Sequence, residues 1–151
     1  MITVNGLDGL KALVGQELGP SSWLEVTQDR VNAFAEATDD HQWIHVDVER
    51  AAQGPFGGTI AHGYLTLSLV IPFFSELLAV DGIKMGVNYG LDKVRFPSPV
   101  RVGSKIRLAA TVDAVEEVAR RCVQMSLTFT VQIDGIDKPA CVAHPIYRYY
   151  A

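Results

Sequence analysis

Two runs of strict alternation in the C-terminal half constrain the fold more than any other feature of this chain. Ile106, Leu108, Ala110, Val112 and Ala114 alternate with Arg107, Ala109, Thr111 and Asp113. Val123, Met125, Leu127, Phe129, Val131 and Ile133 alternate with Gln124, Ser126, Thr128, Thr130 and Gln132. A period of two puts every second side chain on one face, so each run predicts a long strand with one buried face. The short link from Glu116 to Arg121 makes the two strands antiparallel neighbours. Asp134-Gly135 then turns the chain towards a last strand, roughly 140–149. Pro145 cannot donate to a ladder, which places it at an edge or a bulge.

Such a sheet needs something to cover its apolar face. The segment from His62 to Leu78 carries Leu65, Leu67, Leu69, Val70, Ile71, Phe73, Phe74, Leu77 and Leu78 and leaves no polar face. A helix apolar on all sides is one surrounded by protein. Pro72 kinks it, unless it lies near the break between two shorter helices. Earlier in the chain, Thr27 is a plausible N-cap, and Val31, Phe34, Ala35 and Thr38 follow with helical spacing that ends near Asp39. Gly54-Pro55-Phe56-Gly57-Gly58 must be an irregular loop. Long strands packed on a buried helix give an α+β fold. One sheet covers one side of that helix, so the N-terminal segment or a second subunit must cover the other. The chain has 151 residues and no repeat or linker to divide it, which predicts a single domain over 1–151.

Composition removes several classes of function. The net charge of −4 comes with no basic block, which argues against a nucleic-acid partner, because phosphate binding needs clustered Lys and Arg. The longest uncharged stretch, 59–75, contains His62, Thr66, Ser68 and Pro72 and is shorter than the roughly 20 apolar residues a spanning helix needs. No membrane partner is expected. Cys122 and Cys141 match no zinc or redox spacing and read as reduced, buried thiols. With no secretory leader pattern at the start, a cytoplasmic protein is expected.

The stretch from Phe34 to His45, with Ala51 six residues further on, is where chemistry concentrates. Asp40, Gln42 and His45 fall within six positions just past a helix end, where loops often carry catalytic groups. A carboxylate and an imidazole brought together can hold one water, and the imidazole titrates near neutrality and can take its proton. Ordinary polar loop residues after a helix would have the same composition. A metal site is a third reading, because His41 and His45 are four apart and Asp47 is near. A zinc-protease motif needs Glu after the first His, however, and the chain has Gln42.

The stretch resembles the signature of the MaoC-like (R)-specific enoyl-CoA hydratases. That signature runs as an aromatic, a small or hydroxyl residue, Gly-Asp-x-Asn-Pro, an aliphatic residue and His, with a small residue six later. Phe34, Thr38, Asp40, Ile44, His45 and Ala51 match in order and spacing. Asp39 stands in place of Gly, Gln42 in place of Asn, and Trp43 in place of Pro. Ile60-Ala61-His62-Gly63 resembles the family's entry to its central helix. Tyr89 to Gly103 resembles the strand and turn after that helix. Together these blocks cover about residues 34–103.

The resemblance implies a hotdog fold, a curved antiparallel sheet wrapped around a long buried helix, and a homodimer of such units. It also implies (R)-specific hydration of a trans-2-enoyl thioester, or dehydration of a (3R)-3-hydroxyacyl thioester, in fatty acid metabolism. His45 is then the base towards water, with Asp40 orienting that water and exchanging the proton at C2, or the two roles are reversed. Gln42 holds the amide that positions them. The Gly63 backbone N–H, in the first turn of the buried helix, is the candidate donor to the thioester oxygen. Ile60, Ala61 and His62, with Tyr64, Asn88, Tyr89, Phe96 and Pro97, are candidates to line the acyl or pantetheine channel. His62 and His144 also read as structural histidines. No metal or redox cofactor is expected, since adding water needs none and no dinucleotide fingerprint is present. Two other functions share the fold: a hotdog thioesterase that hydrolyses the thioester, and a non-catalytic protein that binds acyl thioesters.

Overall fold

The structure is a computed structural model that describes residues 1–151. The N-terminal segment folds as β1 (Ile2–Asn5), α1 (Gly6–Lys11), β2 (Glu17–Leu18) and β3 (Leu24–Glu25). α2 (Gln28–Thr38), α3 (Trp43–Val46) and α4 (Val48–Ala52) follow, then α5 (Gly63–Ser68) and α6 (Val70–Leu77). The chain closes with β4 (Leu78–Asp81), β5 (Met85–Arg95), β6 (Lys105–Ala119), β7 (Cys122–Ile133) and β8 (Ile136–Tyr150). Six strands form one antiparallel sheet in the order β2-β6-β7-β8-β5, with β3 also paired to β6, and β1 pairs with β4 in a small parallel sheet.

The alternating runs become β6 and β7 as expected, and both extend further. β6 continues to Ala119, so the hairpin link shrinks to Arg120 and Arg121, the latter at φ 59. β8 begins at Ile136, directly after the Asp134-Gly135 turn, where Gly135 supplies φ 75. The inward residues of β6, β7 and β8 bury against α5 and α6 in a core of 29 side chains that includes Leu65, Leu69, Phe73, Phe74 and Leu77. Phe74 packs at 5.1 Å from Phe129 and 5.6 Å from Tyr147, ring centre to ring centre. Pro145 lies in an interior strand. It pairs with Leu91 beside a register shift in the β5–β8 ladder, so a local irregularity removes the need for its N–H.

The central helix takes the alternative that Pro72 left open. It is two helices joined through Leu69, which keeps helical angles (φ −68, ψ −13), so Pro72 sits in the first turn of α6 where its missing N–H costs nothing. It is also not covered on every side. Tyr64 is 73% exposed and Ile71 44%, with Ser68, Ser75 and Glu76 along the same exposed side. The N-terminal segment sends Leu10 and Leu13 into the core but leaves this stripe open. The edge strand β5 is likewise exposed along its length, with Met85, Val87, Tyr89 and Leu91 uncovered.

α2 forms as its pattern dictates. The Thr27 hydroxyl accepts from the Arg30 N–H at 3.2 Å, and the helix ends at Asp39 with φ 60 and ψ 19. A left-handed residue there is the usual helix stop, and glycine adopts it without a side-chain clash. Asp39 therefore occupies a position that favours glycine, the residue usual there in the resembling signature. Replacing Asp39 with Gly should raise stability by up to about 1 kcal/mol, read as a higher midpoint in urea unfolding, with catalysis little changed.

Candidate active site

Immediately after the left-handed stop, Asp40 lies on an exposed loop, and its Oδ1 accepts only a long 3.4 Å contact from the Gln42 N–H. The chain then enters α3, whose first residue is Trp43. This is the helix position where proline is also welcome, so the aromatic keeps the local geometry. Trp43 packs under the Arg50 guanidinium at 4.3 Å and leaves no room for a side chain at Gly54, whose Cβ would lie 3.0 Å from the indole. α3 is one turn long, with the His45 N–H donating to the Gln42 carbonyl at 3.0 Å, and it delivers the His45 ring into the interior.

The segment Thr59–Ala61 receives that ring. Ile60 N–H donates to the Ile44 carbonyl, Ala61 N–H to the Val100 carbonyl, and Val102 N–H to the Thr59 carbonyl. The Ile60 carbonyl then accepts from His45 Nδ1 at 2.7 Å. A carbonyl can only accept, so Nδ1 carries the hydrogen and Nε2 of the neutral ring presents a lone pair. Gln28, at the start of α2, adds a clamp: its Nε2 donates to the His45 carbonyl at 2.8 Å and its Oε1 accepts from the Thr59 hydroxyl at 2.6 Å.

Asp40, His45 and His62 converge, with one carboxylate oxygen and one nitrogen from each ring all within 4.8 Å of one another. A single water at about 2.8 Å from two such atoms can bridge that separation. The His45 and His62 rings stack at 3.8 Å with planes 22° apart. In-plane lone pairs on nearly parallel rings cannot meet at one point about 2 Å away, so the pair is poorly shaped to chelate a metal. The residues of the metal reading are dispersed. His41 is on the surface, hydrogen-bonded to Glu36 at 2.7 Å, and the Asp47 carboxylate caps α4 through the Arg50 N–H.

Gly63 opens α5, whose first N–H groups have no intrahelical acceptor. A side chain there would press on the Phe96 ring at 3.2 Å, so close packing favours glycine. Gly63 and Phe96 line a largely apolar cavity of about 340 Å³ with Ile60, Ala61, Val100 and Phe56. Tyr64, Asn88, Tyr89 and Pro97 do not line it. Tyr64 and Tyr89 face outward, and Asn88 borders two other hollows, each with Ile71 and Tyr147. The Gln42 side chain makes no hydrogen bond; its backbone alone contacts Asp40 and His45. His144 meets the Thr128 hydroxyl on the sheet, away from this cavity. Gln28 and Thr59 are supports that no local spacing in the sequence marks.

Residues 10–133 match the MaoC like domain. The chain belongs to this family. Among relatives of this MaoC-like protein, it is 50% identical over 151 residues, the full length of both chains, to 3-hydroxyacyl-thioester dehydratase Z of Mycobacterium tuberculosis. Its fold superposes with a TM-score of 0.81 on a monoamine oxidase regulatory protein from Archaeoglobus, at 22% identity over 99% of this chain and 96% of the other. The (R)-hydratase from A. caviae involved in PHA biosynthesis gives a TM-score of 0.71 at 25% identity, over 89% of this chain and 94% of that one. The curved sheet around a central helix is thus the hotdog arrangement of MaoC-like dehydratases.

Burial lowers the proton affinity of His45, opposed by the Ile60 hydrogen bond; His62 lowers it further and Asp40 raises it. Glu36 pushes His41 the other way. In an NMR titration His45 should therefore protonate below about 6.5 and His41 above it. Because the unfolded chain takes up the His45 proton first, that site should lose stability as pH falls below about 6.5.

Proposed function

We propose that this MaoC-like protein adds water to trans-2-enoyl thioesters and removes it from (3R)-3-hydroxyacyl thioesters. The observation that carries this reading is the fixed tautomer of His45 beside a carboxylate: Nδ1–H is held by the Ile60 carbonyl, which leaves Nε2 as the proton acceptor, and the ring lies within reach of the Asp40 carboxylate. The full-length likeness to a 3-hydroxyacyl-thioester dehydratase supports it.

In the hydration direction His45 Nε2 takes a proton from water as the water oxygen bonds to C3. The π electrons of the C2–C3 bond move towards C2 and the thioester carbonyl, and the Gly63 N–H meets the charge on that oxygen. Asp40 orients the water, takes up the proton that His45 received and passes it to C2. One proton leaves water and one arrives at carbon, so the protein returns to its starting charge. The cavity beside Gly63 supplies walls for the acyl chain or the pantetheine arm. No metal or redox group enters these steps.

We also propose a homodimer. An 11-residue edge strand with exposed apolar side chains is open to pairing, and the Tyr64–Ile71 stripe is an apolar helix face with no cover from its own chain. A second copy covers both. Two buried, unpaired thiols, Cys122 and Cys141, suit the reducing cytoplasm. No helix is long and apolar enough to cross a membrane.

Purified protein should bleach the enoyl absorbance of crotonyl-CoA and yield the (3R) alcohol on chiral analysis. Asp40→Asn and His45→Gln should each slow this about 10²–10⁴-fold while folding normally. Free thiol released without a hydroxyacyl product would replace this reading with a thioesterase. Placing charge on the edge, as in Val87→Lys with Leu91→Lys, should convert a dimer to monomer in sedimentation analysis.

A further inference from the structure

His62 is 2% exposed, and its ring is held on three sides. It stacks on His45 at 3.8 Å, it meets the Phe34 ring of α2 at 4.8 Å, and its Nε2 donates to the Asp40 carbonyl at 2.9 Å. Its Nδ1 is buried with no partner at all. A side chain present only to fill space would be better made of carbon, since an unpaired buried nitrogen is destabilising. The ring is kept in spite of that nitrogen, and its other nitrogen and its face both touch the two groups assigned to the chemistry.

We propose that His62 is a positioning residue that fixes Asp40 and His45 relative to each other and to Gly63. The inference rests on the hydratase reading of that pair. Asp40 stands on an exposed loop whose own side-chain contact is long, so the hydrogen bond to its carbonyl is the tie between that loop and the head of α5. His45 is held at its edge by Ile60 and across its face by His62. His62 is also the residue immediately before Gly63, so one residue ties the Asp40 backbone, the His45 imidazole and the proposed oxygen-binding N–H to a common point. Misplacement of reacting groups by about 1 Å can cost about 10²-fold in rate.

The titratable groups set against His45 are Asp40, from the loop after α2, and His62, at the head of α5; α2 contributes the neutral Gln28 amide and the 59–61 segment contributes the Ile60 carbonyl. His62 is one of the charges that hold His45 low, so removing its ring favours protonated His45.

Two variants separate donor from ring. His62→Gln keeps an amide donor that can reach the Asp40 carbonyl; His62→Met keeps volume without a donor. With crotonyl-CoA as substrate, His62→Met should lower kcat about 10–100-fold with KM within about twofold, and His62→Gln should recover most of the loss. In both, the NMR titration of His45 should move to higher pH. Equal kcat in wild type and His62→Met, a rise in KM alone, or His62→Gln no better than His62→Met would overturn the proposal. Should wild type itself fail to hydrate the substrate, the hydratase reading falls, and the His45 titration still decides. An upward shift that is larger in folded His62→Met than in His62→Gln supports the positioning role, and equal or absent shifts refute it. Circular dichroism checks folding, and His62→Leu replaces His62→Met if that variant does not fold.

Discussion

The hydrogen bond from His45 Nδ1 to the Ile60 carbonyl is the constraint on which the site depends. It chooses the tautomer, and the tautomer decides whether the nitrogen facing Asp40 can accept a proton. The carbonyl is an effective anchor because its own segment cannot drift. Backbone bonds tie residues 59–61 to Ile44 on one side and to Val100 and Val102 on the other, and Gln28 bridges the same segment to α2. A proton acceptor on a one-turn helix, which would otherwise fray, is thereby referred to the rigid sheet and helix around it.

The groups proposed for the chemistry were legible in the sequence, and most of those that hold them were not. Asp40 and His45 stood just past a capped helix end, but the resemblance to the hydratase signature, not spacing alone, singled them out. Thr27 and the alternating strands were legible because local geometry has a local pattern. The support from Ile60 is a backbone carbonyl, which any side chain would provide. Gln28 reaches a carbonyl 17 residues away and a hydroxyl 31 residues away, contacts that exist only after folding. The departures from the resembling signature are explained by geometry instead. Asp39 tolerates a left-handed cap, and Trp43 starts a turn of helix where proline is favoured but not required.

The central helix shows where pattern reading stops. Its apolar residues on every side called for protein on every side, yet Tyr64 and Ile71 are exposed in a single chain. Hydrophobic patterning reports what must be removed from water in the working assembly, and an assembly can include a copy that the sequence names only once. The exposed β5 edge carries the same message in a second element. Two independent surfaces left uncovered by one chain support an assembly more strongly than either would alone.

What separates hydration from thioester cleavage is where the activated water stands. A water held by a carboxylate and a base can attack the carbonyl carbon as readily as C3, and the two carbons differ by two bonds along one acyl chain. The proposed Gly63 N–H holds the carbonyl oxygen and therefore fixes where both carbons lie. The reaction is then selected by the distance from that N–H to the Asp40–His45 pair. A covalent route by thiol is unfavourable, because burial pushes the Cys141 thiol up to about 11 and it lies within the sheet core. Selectivity thus becomes a matter of how firmly one loop and one ring are registered on the head of α5. His62, packed against one and bonded to the other, sits where that registration is made.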